Sequence, residues 1–366
     1  MMSLFNEILQ FAVGIREKLS RIPTSKDWSI AYQQAVEQTV VGVCFYGIEL
    51  VYRQQPEMVA NLPQPLRMQW FALSMEIKKR NMLVNKRCAE LYDKIRQAGY
   101  EACLLKGQAF ADLYTSPLNE YRQSGDIDMW IMADYKTIIE WGRNFGKVES
   151  YDIHHADIDI FSDVAVELHY RPSISRNLSR DRKFQKWLAG DGKTHVNNNE
   201  RLGVNVPDAV FCMILALNHN LWHLVCGGVG LRQTMDLYFI AKAVEKDREL
   251  ESLIEKFQLK KFAAASAWVL WHVFEDEKKD SFLLSDRSPL PKPDEKTGRL
   301  LLSEIMKGGN FGHYDKRKMI LRLESKHLMM LVNLVYSIRL FLHFPLEVLW
   351  SPIGMARISL WRRLRT

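Results

Sequence analysis

Between Ser124 and Ile131 the chain reads Ser-Gly-Asp-Ile-Asp-Met-Trp-Ile, two acids one residue apart at the head of an apolar run. In an extended strand the side chains of residues i and i+2 share a face, so Asp126 and Asp128 project together, with Cβ atoms roughly 6–7 Å apart. Ile127 and Met129 turn to the other face, into a core. Two carboxylates this close repel each other unless positive charge stands between them, and a divalent cation is the usual answer. The pattern points to a magnesium site for phosphate chemistry.

The surroundings of this run have strand and turn periodicity. Tyr100 to Leu105 is a short apolar run that ends at Lys106-Gly107, a buried strand followed by a turn. Gln108 to Tyr114 reads as a turn or two of helix, and Ser116-Pro117-Leu118-Asn119 as a loop. A helix follows near Tyr135 to Phe145, then strands over Ala156 to Phe161 and Val164 to Tyr170. Strand, helix, strand, helix, strand, strand describes a small α+β sheet domain.

Helical periodicity governs both flanks. Residues 1–98 read as helices, with Leu66 to Gln97 set off by Pro56, Pro63 and Pro65 and stopped by Gly99. From about residue 205 helices return over Ala209 to Val225, Leu231 to Val244, Leu250 to Phe274 and Leu328 to Phe344, with a loop over Ser285 to Gly298. The expected regions are therefore 1–98 helical, 99–200 the sheet domain and 201–366 helical. A chain of 366 residues is long enough for such a division.

The five cysteines (Cys44, Cys88, Cys103, Cys212, Cys226) are scattered and form no Cys-x-x-Cys pair, which argues against a disulfide framework and a zinc-cysteine site. Met1 to Gly14 carries Asn6 and Glu7 without a basic start, so it reads as a helix rather than a signal peptide, and the cytoplasm is the expected compartment. A formal net charge of +7 suits anionic partners without selecting one.

Metal-dependent nucleotidyl transfer needs a phosphate-facing glycine turn, carboxylates that hold divalent ions, and alignment of an attacking hydroxyl. Lys106-Gly107 supplies the turn, opening a helix after a strand. Asp126 and Asp128 supply two ligands. Glu167, in Val164-Ala165-Val166-Glu167-Leu168-His169, fits the third, because Val166 and Leu168 face inward while Glu167 shares its face with His169. Arg122, four residues before Asp126, either holds the triphosphate or neutralises the acids. Asp-x-Asp alone is a weak signal, since it recurs at Asp157-Ile158-Asp159, where it reads as the polar face of a strand.

Leu105-Lys106-Gly107-Gln108-Ala109, Tyr114 and Arg122-x-x-Gly125-Asp126-Ile127-Asp128 resemble the uncharacterised nucleotidyltransferase family with an "LKG…R…DID" motif, within the polymerase-beta-like nucleotidyltransferase superfamily. Val166 to Tyr170 is similar to its third-carboxylate strand, and Gly230-Leu231-Arg232 with Asp236-Leu237 to its "glR…D" helical segment. The resemblance spans roughly residues 66–345. It implies a core sheet with helices on one side, magnesium (or manganese), and an NTP donor such as ATP bound by Lys106, Gly107, Arg122 and Gly125. Where the wider superfamily carries Gly-Ser in its phosphate turn, this chain has Gly107-Gln108, and Lys106 would substitute a charge for the serine hydroxyl.

Other candidates have simpler accounts. Arg232 and Asp236 stand one helical turn apart and read as an intrahelical pair. His219 and His223 share that spacing, but Asn220 stands where a zinc protease needs glutamate. His169 and the pair His154-His155 read as satisfied or exposed histidines. The arginine at the middle of His327 to Phe344 argues against a membrane span. Ser351 to Thr366 mixes tryptophan and leucine with arginines, which suits a packed terminal helix or a helix lying on an anionic lipid surface.

Three functional readings follow. The first is a Mg2+-dependent nucleotidyltransferase with an unknown acceptor: a small molecule, sugar, protein or nucleic acid. The second is a non-catalytic NTP-binding or regulatory module on the same fold. The third is a membrane-peripheral scaffold that acts through the basic C-terminal tail.

Overall fold

The structure, a computed structural model, describes residues 3–244, 247–275, 281–315 and 326–364. Met1, Met2, Arg365 and Thr366, the ends of two segments read above, lie outside the described residues. Four helices lead, α1 (Leu4–Ala12), α2 (Ser25–Glu37), α3 (Val41–Gln54) and α4 (Gln64–Gln97). The sheet region follows as β1 (Ala102–Leu104), α5 (Gln108–Ala111), β2 (Ile127–Ile131), α6 (Tyr135–Arg143), β3 (Lys147–Tyr151), β4 (His155–Asp159) and β5 (Val166–His169). Then come α7 (Leu178–Ala189), a hairpin of β6 (Val196–Asn199) and β7 (Val204–Pro207), α8 (Ala209–Cys226) and α9 (Leu231–Ala243). After α10 (Arg248–Lys256), α11 (Lys260–Phe274) and α12 (Glu295–Gly308), helices Lys326–Phe341 and Pro345–Arg363 end the chain.

The architecture is the expected α+β, a small mixed sheet with helical regions on both sides. The main sheet has the order β1-β2-β5-β4-β3. Only β2 and β5 run parallel, and their register sets Asp128 opposite Glu167 and Trp130 opposite His169. Alternation then sorts the side chains. Ile127, Met129, Ile131, Ala156, Ile158, Val166 and Leu168 pack with Val84, Cys88, Leu91 and Ile95 of α4 and Ile138, Ile139 and Trp141 of α6. The polar residues of the same strands are left on the opposite face, toward α8.

Local chemistry fixes the elements. Asp134 caps α6 by accepting from the amides of Lys136 and Thr137, and Asp208 caps α8 through Phe211. Gly99, at φ +84°, closes α4 in the left-handed conformation that glycine tolerates. The single helix expected over Leu250 to Phe274 is divided into α10 and α11 at Gln258, which turns to φ +55°. The loop expected up to Gly298 is shorter, because Asp294 caps α12 through Thr297.

The N- and C-terminal helical regions share one core. Gln10 on α1 donates to the carbonyls of Val273 and Glu275, and Gln38 to that of Ile305. Helix α1 lies directly on α3, where a Cβ on Gly47 would stand 2.5 Å from the Ile8 carbonyl oxygen. Among the described residues, only α8 is long and apolar enough to cross a membrane, and it is mostly buried inside the protein. Helix Pro345–Arg363 packs back on the sheet region: Trp361 meets the rings of Tyr135 and Tyr151, Arg357 bonds Asp181 at 2.6 Å, and Arg362 lies 3.5 Å from Asp152.

Candidate active site

One cavity of about 650 Å³ lies between the polar face of the sheet and helices α8 and α9. That size is ordinary for a small-ligand site. Its lining includes Lys106, Gly107, Arg122, Gly125, Asp126, Asp128 and Glu167, so every residue expected at the site borders the same space.

The acids form the floor. Asp128 is buried, with Lys106 Nζ 2.7 Å from its Oδ1 and His169 Nε2 3.0 Å away. His169 Nε2 also lies 3.1 Å from Glu167 Oε2. Ligand atoms of Asp128, Glu167 and His169 all fall within 4.8 Å of one another. Burial opposes ionisation of Asp128, but Lys106 and His169 overcome it and hold the carboxyl well below its usual range. His169 is affected in the opposite sense: burial lowers it, the hydrogen bonds to Asp128 and Glu167 raise it more, and its pKa stands at about 9.

Asp126 lies at the edge of this group. Repulsion from Asp128, then burial and Glu167, push its carboxyl up to about 6. Such crowding of negative charge is what a bound divalent cation relieves, so the residues fit a metal of the magnesium class. Gly107 shapes the adjacent turn. It adopts φ +55°, and a Cβ there would stand 3.5 Å from the Asp126 carbonyl oxygen. The helix it opens, α5, has only four residues, so Lys106 is the main cationic contribution of this turn.

The cationic wall differs from the expectation. Arg122 does not neutralise the acid pair; it gives a bidentate ion pair to Asp236 on α9, which also accepts from Tyr114 Oη at 2.8 Å. Arg232 is therefore not the partner of Asp236. It donates to the Gln123 carbonyl at 2.9 Å and lies beside Gly125. Buried Arg122 Nη1, Arg232 Nε and Ser124 Oγ have no hydrogen-bond partner among the described residues. Three orphaned donors around one loop fit an anionic ligand such as a triphosphate.

Histidines are the residues that sequence reasoning misses. His169 is buried between the acids, and His154 and His155 line the cavity. His219 and His223 of α8 face Lys106, with His219 Nε2 3.0 Å from His223 Nε2 and 3.4 Å from Lys106 Nζ. Burial and the Lys106 charge lower the pKa of both, His223 to about 3. The available signal was parity: His155 and Asp157 on β4, and Glu167 and His169 on β5, alternate onto the face that carries Asp128.

A mixed sheet that brings aspartate and glutamate together beside a lysine-glycine turn defines a chain of the nucleotidyltransferase class. The profile of the family described as "Uncharacterised nucleotidyltransferase" matches residues 24–275, well over half of the chain, and the protein belongs to that family. No curated protein and no solved structure matches it.

Proposed function

We propose that the protein is a Mg2+-dependent nucleotidyltransferase that moves an NMP from an NTP to an acceptor hydroxyl. One observation carries the reading: the in-register acids Asp128 and Glu167 share a cavity with Lys106 and the orphaned donors of Arg122, Arg232 and Ser124. Asp126, Asp128 and Glu167 would hold the magnesium (or manganese) ion, which supplies charge neutralisation to the triphosphate and acidity to the acceptor hydroxyl.

The side chains divide the remaining work. Lys106 neutralises Asp128 in the ligand-free chain; once that carboxylate is otherwise neutralised, the ammonium is free for a phosphate oxygen. Arg232, Ser124 and the spare Arg122 nitrogen donate to the other phosphate oxygens. Glu167, with 26% of its side chain exposed against 6% for Asp128, is the carboxylate that an acceptor can reach. It takes the hydroxyl proton as the acceptor oxygen bonds to the α-phosphorus and the bond to the β-phosphate oxygen breaks, releasing pyrophosphate. An NTP-consuming enzyme of this kind suits the cytoplasm. The acceptor belongs to an open class of small molecule, sugar, protein side chain or nucleic-acid end.

A second reading, a non-catalytic NTP-binding module, draws on the same site, because Lys106, Asp128, His169 and Glu167 satisfy one another without an ion. Calorimetry of NTP binding with and without Mg2+ tests both, using wild type and the Asp126→Asn/Asp128→Asn pair. Mg2+-dependent binding that the pair loses, with pyrophosphate release on adding an acceptor, is the expected result. Binding without release from any acceptor supports the second reading. Folded wild type that binds no NTP refutes both.

A further inference from the structure

Beside the carboxylates lies a second donor set of different chemistry. The ligand nitrogens of His154, His155 and His169 fall within 4.8 Å of one another. His154 Nε2 is 2.8 Å from His155 Nδ1, which is 3.9 Å from Glu167 Oε2, which in turn is 3.1 Å from His169 Nε2. Strand pairing produces this arrangement. His155 is the cross-strand partner of His169, and Asp157 of Glu167 on the next rung. His154 is held at the strand entry, where its carbonyl accepts from the amides of Tyr170 and Arg171.

The nitrogen of each ring that faces away from this set also lies near an oxygen, and in His169 it is hydrogen-bonded. His169 Nδ1 is hydrogen-bonded to the Arg171 carbonyl at 3.3 Å, whereas His154 Nδ1, 2.7 Å from Asp152 Oδ1, and His155 Nε2, 3.5 Å from Asp157 Oδ1, make close ion-pair contacts without hydrogen-bond alignment. Asp157 is itself held by the Ser150 hydroxyl. An oxygen beside each imidazole is the starting point for the outer shell that orients histidine ligands and raises their basicity, complete here for His169 and requiring a small ring rotation at His154 and His155. A protonated His169 bridging Asp128 and Glu167 would account for that one ring. It gives no reason for two further imidazoles to converge, each with an aspartate close by.

We propose that His154, His155, His169 and Glu167 form a second metal site, selective for a transition-metal ion of the zinc class. Three imidazole nitrogens and one carboxylate oxygen make a four-ligand set that zinc accepts, whereas magnesium prefers oxygen donors. His154, His155 and Glu167 border the cavity, so an ion can enter from solvent. Glu167 is common to this set and to the carboxylate set, which couples occupancy of one to the other. The inference needs no nucleotide and stands or falls separately from nucleotidyl transfer.

The test uses the whole 366-residue chain, stripped with chelator and titrated with Zn2+ against a chromophoric competitor. Co2+ serves as a spectroscopic probe of coordination. One equivalent of Zn2+ is expected, with Co2+ showing the intense visible absorption of a low-coordinate site. Asp152→Asn should weaken binding about 10- to 100-fold, the usual cost of an outer carboxylate, and His154→Ala/His155→Ala should weaken it further. Circular dichroism in chelator checks that each variant is folded, and Asp152→Asn keeps every ligand if the double variant does not fold. Asp126→Asn and His223→Gln should leave Zn2+ affinity within a few-fold. Folded wild type that binds no Zn2+ overturns the proposal. So does affinity unchanged in both the Asp152 and the histidine variants, or affinity lost in His223→Gln, which would place the ion on α8.

Discussion

Arg122 and Asp236, 114 residues apart, meet in a buried bidentate pair, with Nε 2.7 Å from Oδ1 and Nη2 2.8 Å from Oδ2. The pair ties the loop before the acid strand to α9. Removing one partner leaves an uncompensated buried charge, at about 3–5 kcal/mol. Arg122→Leu and Asp236→Leu should each lower the urea midpoint sharply, and the double variant should recover much of the loss. Additive single effects in a double-mutant cycle would refute this coupling.

Stability should fall on acidification. His223 and His154 are held by burial near pKa 3 and 4, against about 6.5 in the unfolded chain. Protonation below pH ~6.5 therefore favours unfolding, on the order of 2 kcal/mol for each by pH ~5. His169, raised to about 9, works in the other direction. Its contribution is complete below pH ~6.5 and is lost as pH rises through 9. Denaturation midpoints in chelator from pH 8 to 5 check the acid limb, which His223→Gln should flatten. An identical slope in that variant would count against the assignment.

Lys106→Met tests whether the lysine serves phosphate as well as Asp128. A charged hydrogen bond is worth about 1.5–3 kcal/mol, so NTP affinity at saturating Mg2+ should fall about 10- to 100-fold. Unchanged affinity would confine Lys106 to its pair with Asp128.

Glu167→Gln keeps the side-chain shape and removes the proton acceptor. Pyrophosphate release should drop about a hundredfold or more, with the fold intact. Retained turnover would move the acceptor's proton to another group.

Much of the site was legible because it rests on period-two alternation. Ile127 and Met129 against Asp126 and Asp128, and Val166 and Leu168 against Glu167, each display a buried and an open face within a few residues. What escaped depends on partners distant in the chain. Arg232 and Asp236 look paired because one helical turn separates them, and nothing local reveals Arg122. His154 and His155 look solvated until β4 pairs with β5. Strand β3 (Lys147–Tyr151) is an exposed edge with charged residues and shows no apolar alternation. Strand β6 is Val-Asn-Asn-Asn, which reads as a turn. Helix α7 buries Arg180 and Asp181 beside Phe184 and Trp187, so its inward face is partly charged and its periodicity is blurred.

The stretch that carries the family signature begins at residue 24, after α1 has already contributed Phe5, Ile8, Leu9 and Phe11 to the interior. Cutting the chain to that stretch would uncover the α1-facing surface of α3, including the groove at Gly47, and leave Gln38 without the Ile305 carbonyl. An apolar patch beyond a few hundred Å² drives association in a soluble monomer. The portable unit of this protein is thus larger than its recognisable one: a graft or expression fragment has to carry both ends of the chain to keep its helical core closed.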